Sequence, residues 1–291
     1  MPTTHAHYVH GEEVRKKINP GAREIIDKYP ELFHFGVHGP DLLFYYDALK
    51  KNPVNQTGGK IHDLPGRDFF ENAAKVLQGL SEEESGDYRP SLSYIYGFLC
   101  HFALDLYCHG YVQEKMDASG VSHAEIEAEM DRELLVREGL DPIRTKLTGH
   151  LVPSGKNARV ISRFYEEISQ EEVFKAMKDM VKFLDYLVLP QKVKRAVVLG
   201  ALKAVGQYDG KHGLIINYEK NPECADSTER LLSLMEKAVD FAAGLIDAFP
   251  EMGNEFRYNF LSIDPASGEV YPAKTKAEEQ GEITRNEAEN D

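Results

Sequence analysis

The pattern from Ser91 to Ser119 is apolar along most of its length, yet it carries His101, Asp105 and His109 four residues apart. At 3.6 residues per turn, positions i, i+4 and i+8 drift by only about 40° per step, so the three side chains leave a helix along one stripe. A second pair, His123 and Glu127, follows at the same spacing. Two imidazoles and a carboxylate are costly in an apolar interior unless something compensates them. A divalent metal is the simplest compensation for such a mixed donor set. The stretch from Leu92 to Val112 is long enough to cross a bilayer, but Asp105 near its middle would cost about 2.5–3.5 kcal/mol in lipid. A helix wrapped by other helices accommodates both the apolar run and its polar stripe.

Elsewhere few segments alternate with period two, while apolar residues recur at helical spacing, so the fold class read from the chain is an all-α multi-helix bundle. With 291 residues and 42% hydrophobic content there is ample material for a core. Helical patterns run over Gly11 to Lys17, Gly21 to Tyr29, Gly39 to Leu49 and Arg67 to Gly79. Asn52 to Lys60, with Pro53, Gly58 and Gly59, reads as a polar, mobile loop. Ser122 and Glu125 have capping-box spacing, which places His123 in the first turn of its helix and Glu127 one turn on. After a Gly- and Pro-containing linker, Gly139 to Lys156, further helices are expected at Ala158 to Glu167, Gln170 to Leu187, Pro190 to Gly206 and Thr228 to Phe249. Residues 1–265 are expected to form one helical domain, and the charged segment 266–291, without apolar periodicity, a disordered tail.

The formal net charge of -14 argues against electrostatic capture of nucleic acid or anionic lipid unless a metal reverses the sign locally. Stable nucleic-acid binding is not expected. Cys100, Cys108 and Cys224 form no CxxC motif, and two of them sit in the most apolar helix, so a disulfide framework is not expected. The N-terminal residues lack a basic region followed by an apolar one, and a reducing, cytoplasmic location is expected.

Further donors lie outside the stripe: His5, His7 and His10, then Asp41 after Gly39-Pro40, then His62-Asp63. The segments His34-Phe-Gly-Val-His-Gly-Pro-Asp41 and Cys100-His-Phe-Ala-Leu-Asp-Leu-Tyr-Cys-His109, followed by His123-x-x-x-Glu127, resemble the bacterial zinc-dependent phospholipase C family. The order of donors agrees: His7, Asp41, His62, His101, Asp105, His109, His123 and Glu127 match the family's succession of ligands. The resemblance covers residues 1 to 130 or so in motifs, and the second half as generic helices. It implies Asp41, His62, His101 and Asp105 around one zinc, His109, His123 and Glu127 around a second, and His7 with a bridging Asp105 at a third. The secreted members complete that third site with the amino terminus of a tryptophan. This chain has no tryptophan, begins Met1-Pro2, and has a shorter interval from Asp105 to His109, so two or three Zn2+ ions are implied.

The implied activity is hydrolysis of a phospholipid headgroup phosphodiester, with Asp105 bridging ions and Asp41 orienting or deprotonating the attacking water. The residues alone point to metal-assisted hydrolysis of a phosphoester, since a metal pair can activate water and clamp attacking and leaving oxygens. Related single-strand nucleases share the trinuclear architecture, so another phosphodiester stands as an alternative. A helical HD-type phosphohydrolase would use His62-Asp63 instead, and a helical protein with structural zinc would use closed sites. Single residues also have plainer readings. Asp41 suits the first turn of a helix after Pro40. Cys108 reads as a small buried hydrophobe, with zinc thiolate as the alternative. Tyr94 reads as a packed aromatic before a phosphate contact. His34, His38, His150 and His212 carry no spacing signal. The segment Lys192 to Gly206 reads as a scaffold helix, with transient membrane-surface contact as the alternative.

Overall fold

The long apolar stripe becomes a single 32-residue helix around which the others are laid. The computed structural model describes residues 4–63, 66–82, 86–204, 206 and 208–252. Among these there is no strand. The helices, in chain order, are α1 (Thr4–Lys17), α2 (Pro20–Lys28), α3 (Pro30–Gly36), α4 (Pro53–Asp63), α5 (Gly66–Glu82), α6 (Tyr88–Ser119) and α7 (His123–Arg137). They continue with α8 (Gly155–Ser162), α9 (Gln170–Leu187), α10 (Lys192–Ala204), the short α11 (Tyr208–Lys211) and α12 (Ala225–Met252). The tail expected at 266–291 lies outside the described residues.

Helix α6 is buried almost continuously from Pro90 to Leu106 and ends at Gly120, where the sequence predicts it to end. Helices α3 and α12 pack along it. The crossing with α3 is a backbone-to-backbone approach: a Cβ on Gly97 would sit 2.2 Å from the Phe33 carbonyl oxygen, and one on Gly36 2.2 Å from that of Tyr94. Only hydrogen fits at either position. This contact brings the segment after α3, which carries Asp41, onto the face of α6 that carries His101. The larger core lies around Phe33, Phe70, Phe98, Phe102 and Phe249, and a smaller one around Leu104, Val112, Ile126 and Leu231 joins α6 to α7 and α12.

Three local expectations are corrected. The segment Asn52 to Lys60 is not a loop: Pro53–Asp63 is helical. Asn52 and Asn55 cap each other, the Asn52 carboxamide accepting the Asn55 N–H at 3.0 Å and the Asn55 carboxamide accepting the Asn52 N–H at 3.1 Å. That reciprocal cap and a proline at the first helical position offset the cost of two glycines, about 1 kcal/mol each. Gly39 to Leu49 is a tight 3-10 segment, Gly39–Tyr45, followed by turns. Helix α1 already includes His5, His7 and His10, whose polarity hides its inner face from an apolar-periodicity reading. Ser122 does cap α7, but the Glu125 carboxylate accepts from Asn217 and Asn221. The three cysteines are buried and unpaired.

Candidate metal centre

Asp105 is 2% exposed and surrounded by four imidazoles whose Nε2 atoms face its carboxylate. Oδ2 lies 3.2 Å from His101 and 3.7 Å from His62, while Oδ1 lies 3.3 Å from His7 and 3.5 Å from His109. His101, Asp105 and His109 come from successive turns of α6, as their spacing requires. His7 arrives from α1 and stacks on His101 with ring centroids 4.6 Å apart. His62 comes from the last turn of α4, and its Nε2 also lies 3.1 Å from Oδ1 of Asp41. The first turns of α7 add His123 and Glu127, their Nε2 and Oε1 2.8 Å apart, and the His123 ring packs edge-on to His109. All eight predicted residues therefore meet in one continuous cluster. Their donor atoms fall into three sets, each within 4.8 Å of one another: Asp41, His62 and His101; His7, His101 and Asp105; and His109, His123 and Glu127.

The segment that delivers Asp41 is fixed by Gly39, whose φ is +48° and where a Cβ would stand 2.2 Å from Cδ2 of His101. Asp131, one turn beyond Glu127, accepts the backbone N–H groups of His5 and Ala6 at 3.1 and 2.7 Å. It thereby pins the first turn of α1 and sets His7 against Asp105. Nothing in the spacing marked Asp131 for this role except its place four residues after Glu127.

The donor set fits zinc. Two ligands at 2.0–2.1 Å from a tetrahedral ion stand about 3.3 Å apart, close to the spacing between these imidazoles and carboxylates. His7 Nε2, His109 Nε2, Asp105 Oδ2 and Glu127 Oε2 are buried without hydrogen-bond partners, which is expensive unless a cation fills the space between them. His62 Nδ1 donates to the Gly58 carbonyl at 2.7 Å, so its Nε2 turns toward two carboxylates and needs a proton or a metal there. Burial opposes that proton, but the hydrogen bond and charge of Asp41, with the charge of Asp105, raise His62 to about 9. Burial drives His101 down to about 3, leaving the neutral imidazole that metal ligation requires. Burial also works against the charge on Asp105, yet His101 and His109 hold its carboxyl well below the ordinary range.

Neighbouring residues sort into plainer roles. Asp63 is exposed and joins none of the three donor sets, while His62 turns inward. The His-Asp pair required by the HD-type alternative is thus not formed. Cys108 joins none of the three donor sets, and burial holds its thiol well above its usual range. Tyr94 packs against Phe164 and shares a 2.6 Å hydrogen bond with the Tyr165 hydroxyl. His10 is buried toward Ala238 and joins none of the three donor sets. His5 faces Glu138 and His34 faces Glu12, each at 3.1 Å. His38 and His150, unmarked by spacing, face each other with Nε2 atoms 2.8 Å apart. His212 lies 3.5 Å from Glu125.

On the His123 side the cluster opens to a cleft of about 380 Å³ lined by Phe44, Tyr45, Phe183, Met116 and Lys211. Among the described residues no helix is long and apolar enough to cross a membrane.

Residues 4–183, which contain all eight cluster residues, match the family model described as zinc dependent phospholipase C. Comparison with the curated proteins and with the solved structures returns no significant match. The match spans well over half of the chain and contains every donor that the structure gathers around Asp105, so the chain belongs to the zinc-dependent phospholipase C family.

Proposed function

We propose that the protein is a zinc-dependent phosphodiesterase that hydrolyses a phospholipid headgroup linkage on its glycerol side. The observation that carries this reading is the division of Asp105, one oxygen toward His62 and His101 and the other toward His7 and His109. A carboxylate so placed is suited to hold two ions at one distance. Bound zinc would supply Lewis acidity toward a phosphoryl oxygen and lower the pKa of water to about 7. Two or three ions would be held by His7, Asp41, His62, His101, Asp105, His109, His123 and Glu127. Asp41, at the edge of the cluster, would orient the attacking water and take up its proton. The half-exposed His123 and the cleft beside it support a catalytic rather than a closed structural site.

The aromatic walls of the cleft and Lys211 within it favour an amphiphilic anion over a nucleic acid. Helix α10 supports transient contact with a lipid surface. Val193 and Val197 are 77% and 66% exposed there, beside the exposed Lys192 and Lys194. The test is an assay of the zinc-loaded chain on short-chain phosphatidylcholine, on vesicles and on single-stranded DNA. Lipid hydrolysis is expected, with kcat lowered about 100-fold by Asp41→Asn. Replacing Val193 and Val197 by Asp should depress activity on vesicles alone. Preference for DNA would redirect the substrate, and no hydrolysis of any phosphoester would refute the reading.

A further inference from the structure

Helix α10 is built inside out. Its sequence holds Val193, Val197, Val198, Leu199 and Leu202, yet the residue it buries is Arg195, 7% exposed. The guanidinium donates to the Ile215 carbonyl at 3.1 Å through Nη2, and its carbon lies 4.5 Å from the centre of the Tyr218 ring. No carboxylate lies within ion-pair distance of it among the described residues. A guanidinium has five N–H donors, so one carbonyl and one aromatic face leave most of its fork unused. A cation taken this far from water without a counter-charge is expensive.

Arg195 lines a cavity with apolar walls, Leu147, Leu187, Leu189 and Ile216 among them, and Glu127 of the candidate metal centre lines the same cavity. Neither of its two carboxylates, Glu127 and Asp131, forms an ion pair with Arg195. Glu127 belongs to the donor cluster, and Asp131 holds the N–H groups of His5 and Ala6. The described side chains therefore supply no counter-charge to Arg195. We infer that Arg195 and this cavity form a subsite for an oxyanion, phosphate or carboxylate, carried on an apolar stem. The planar fork suits such a group through two parallel hydrogen bonds. The inference rests on the phosphodiesterase reading in one respect: with the reacting phosphate at the metal centre, the substrate is an acidic amphiphile whose second anionic group reaches Arg195. Arg195 itself lies beyond residues 4–183, while Glu127 and Leu147 of the cavity wall lie within the family match.

The experiment uses the zinc-loaded full chain as wild type, Arg195→Gln and Arg195→Lys, after thermal melts. Calorimetric titration with hexyl phosphate and inorganic phosphate is run beside kinetics on dihexanoyl phosphatidylserine and dihexanoyl phosphatidylcholine. Hexyl phosphate should bind the wild type more tightly than inorganic phosphate and lose about tenfold or more in affinity in Arg195→Gln. KM for the serine lipid should rise by a similar factor with kcat and the choline lipid little changed, and Arg195→Lys should recover part of the loss. Equal losses on both lipids, or hexyl phosphate affinity indifferent to Arg195, would overturn the subsite. If Arg195→Gln does not fold, Arg195→Lys with unchanged hexyl phosphate affinity and lipid preference would do the same. Lost hexyl phosphate binding with unaltered lipid preference would assign the site to a free organic phosphate and overturn its place in substrate recognition. The same loss in a chain that hydrolyses no phosphodiester would refute the hydrolase reading and leave the anion subsite standing.

Discussion

Four imidazoles around one buried carboxylate make the centre of this protein sensitive to small displacements of single residues. Gly39 is the clearest case, because its left-handed backbone and its contact with His101 both exclude a side chain. Gly39→Ala should cost about 2 kcal/mol or more and displace His101, lowering both melting temperature and bound zinc. Unchanged values for both would show that the contact is not needed. Burial also holds His10, His101 and His150 near 3, so they stay neutral in the folded chain and gain a proton on unfolding below about pH 6.5. Stability should therefore fall as pH drops from 6.5 toward 5, by up to about 1.4 kcal/mol per unit for each histidine. In that window His62, raised to about 9, is protonated in both states below its ordinary value and adds little. Denaturant unfolding of chelator-treated protein across this range checks the slope, and a flat profile would contradict it. The stripe on α6 and the pair on α7 were legible because helical periodicity fixes them locally. The His38–His150 pair was not, since the partners are 112 residues apart and neither sits in a pattern.

Elements were legible where one face is apolar and hidden where the inner face is polar or glycine-rich. Helix α6 ends where the sequence predicts because its periodicity is long and its stop residue unambiguous. Helix α4 reads as a loop because Gly58 and Gly59 mark loops in most contexts, while the Asn52–Asn55 cap that starts it lacks the usual Ser/Thr and Glu/Gln signature. Helix α1 begins before the apolar pattern at Gly11 because its inner face is built of histidines. Its position depends on α7: Asp131→Ala removes the acceptor of two N–H groups and should cost about 2 kcal/mol. It should also reduce the stabilisation gained on adding zinc, because His7 is released from Asp105. Equal zinc-induced shifts in melting temperature for variant and wild type would argue against this coupling. Helix α10 turns Val193 and Val197 outward and Arg195 inward.

For the whole molecule, the family match ends at residue 183, within α9, yet α12, which lies beyond it, packs along α6 beneath the cluster. The ordered donors in the first half were readable because each sits at a helical interval or in a short motif. The role of the second half was not, since α12 supplies apolar surface without any chemical signature. An acidic chain that concentrates its histidines around one carboxylate gains a local positive centre only when metal is bound. Everything at the metal centre turns on Asp105 serving two ions at once, and elemental analysis of protein purified without added metal measures that sharing. Wild type should carry two or three zinc ions per chain and Asp105→Asn at most one; no zinc in the wild type, or equal loading of a folded Asp105→Asn, would contradict the account.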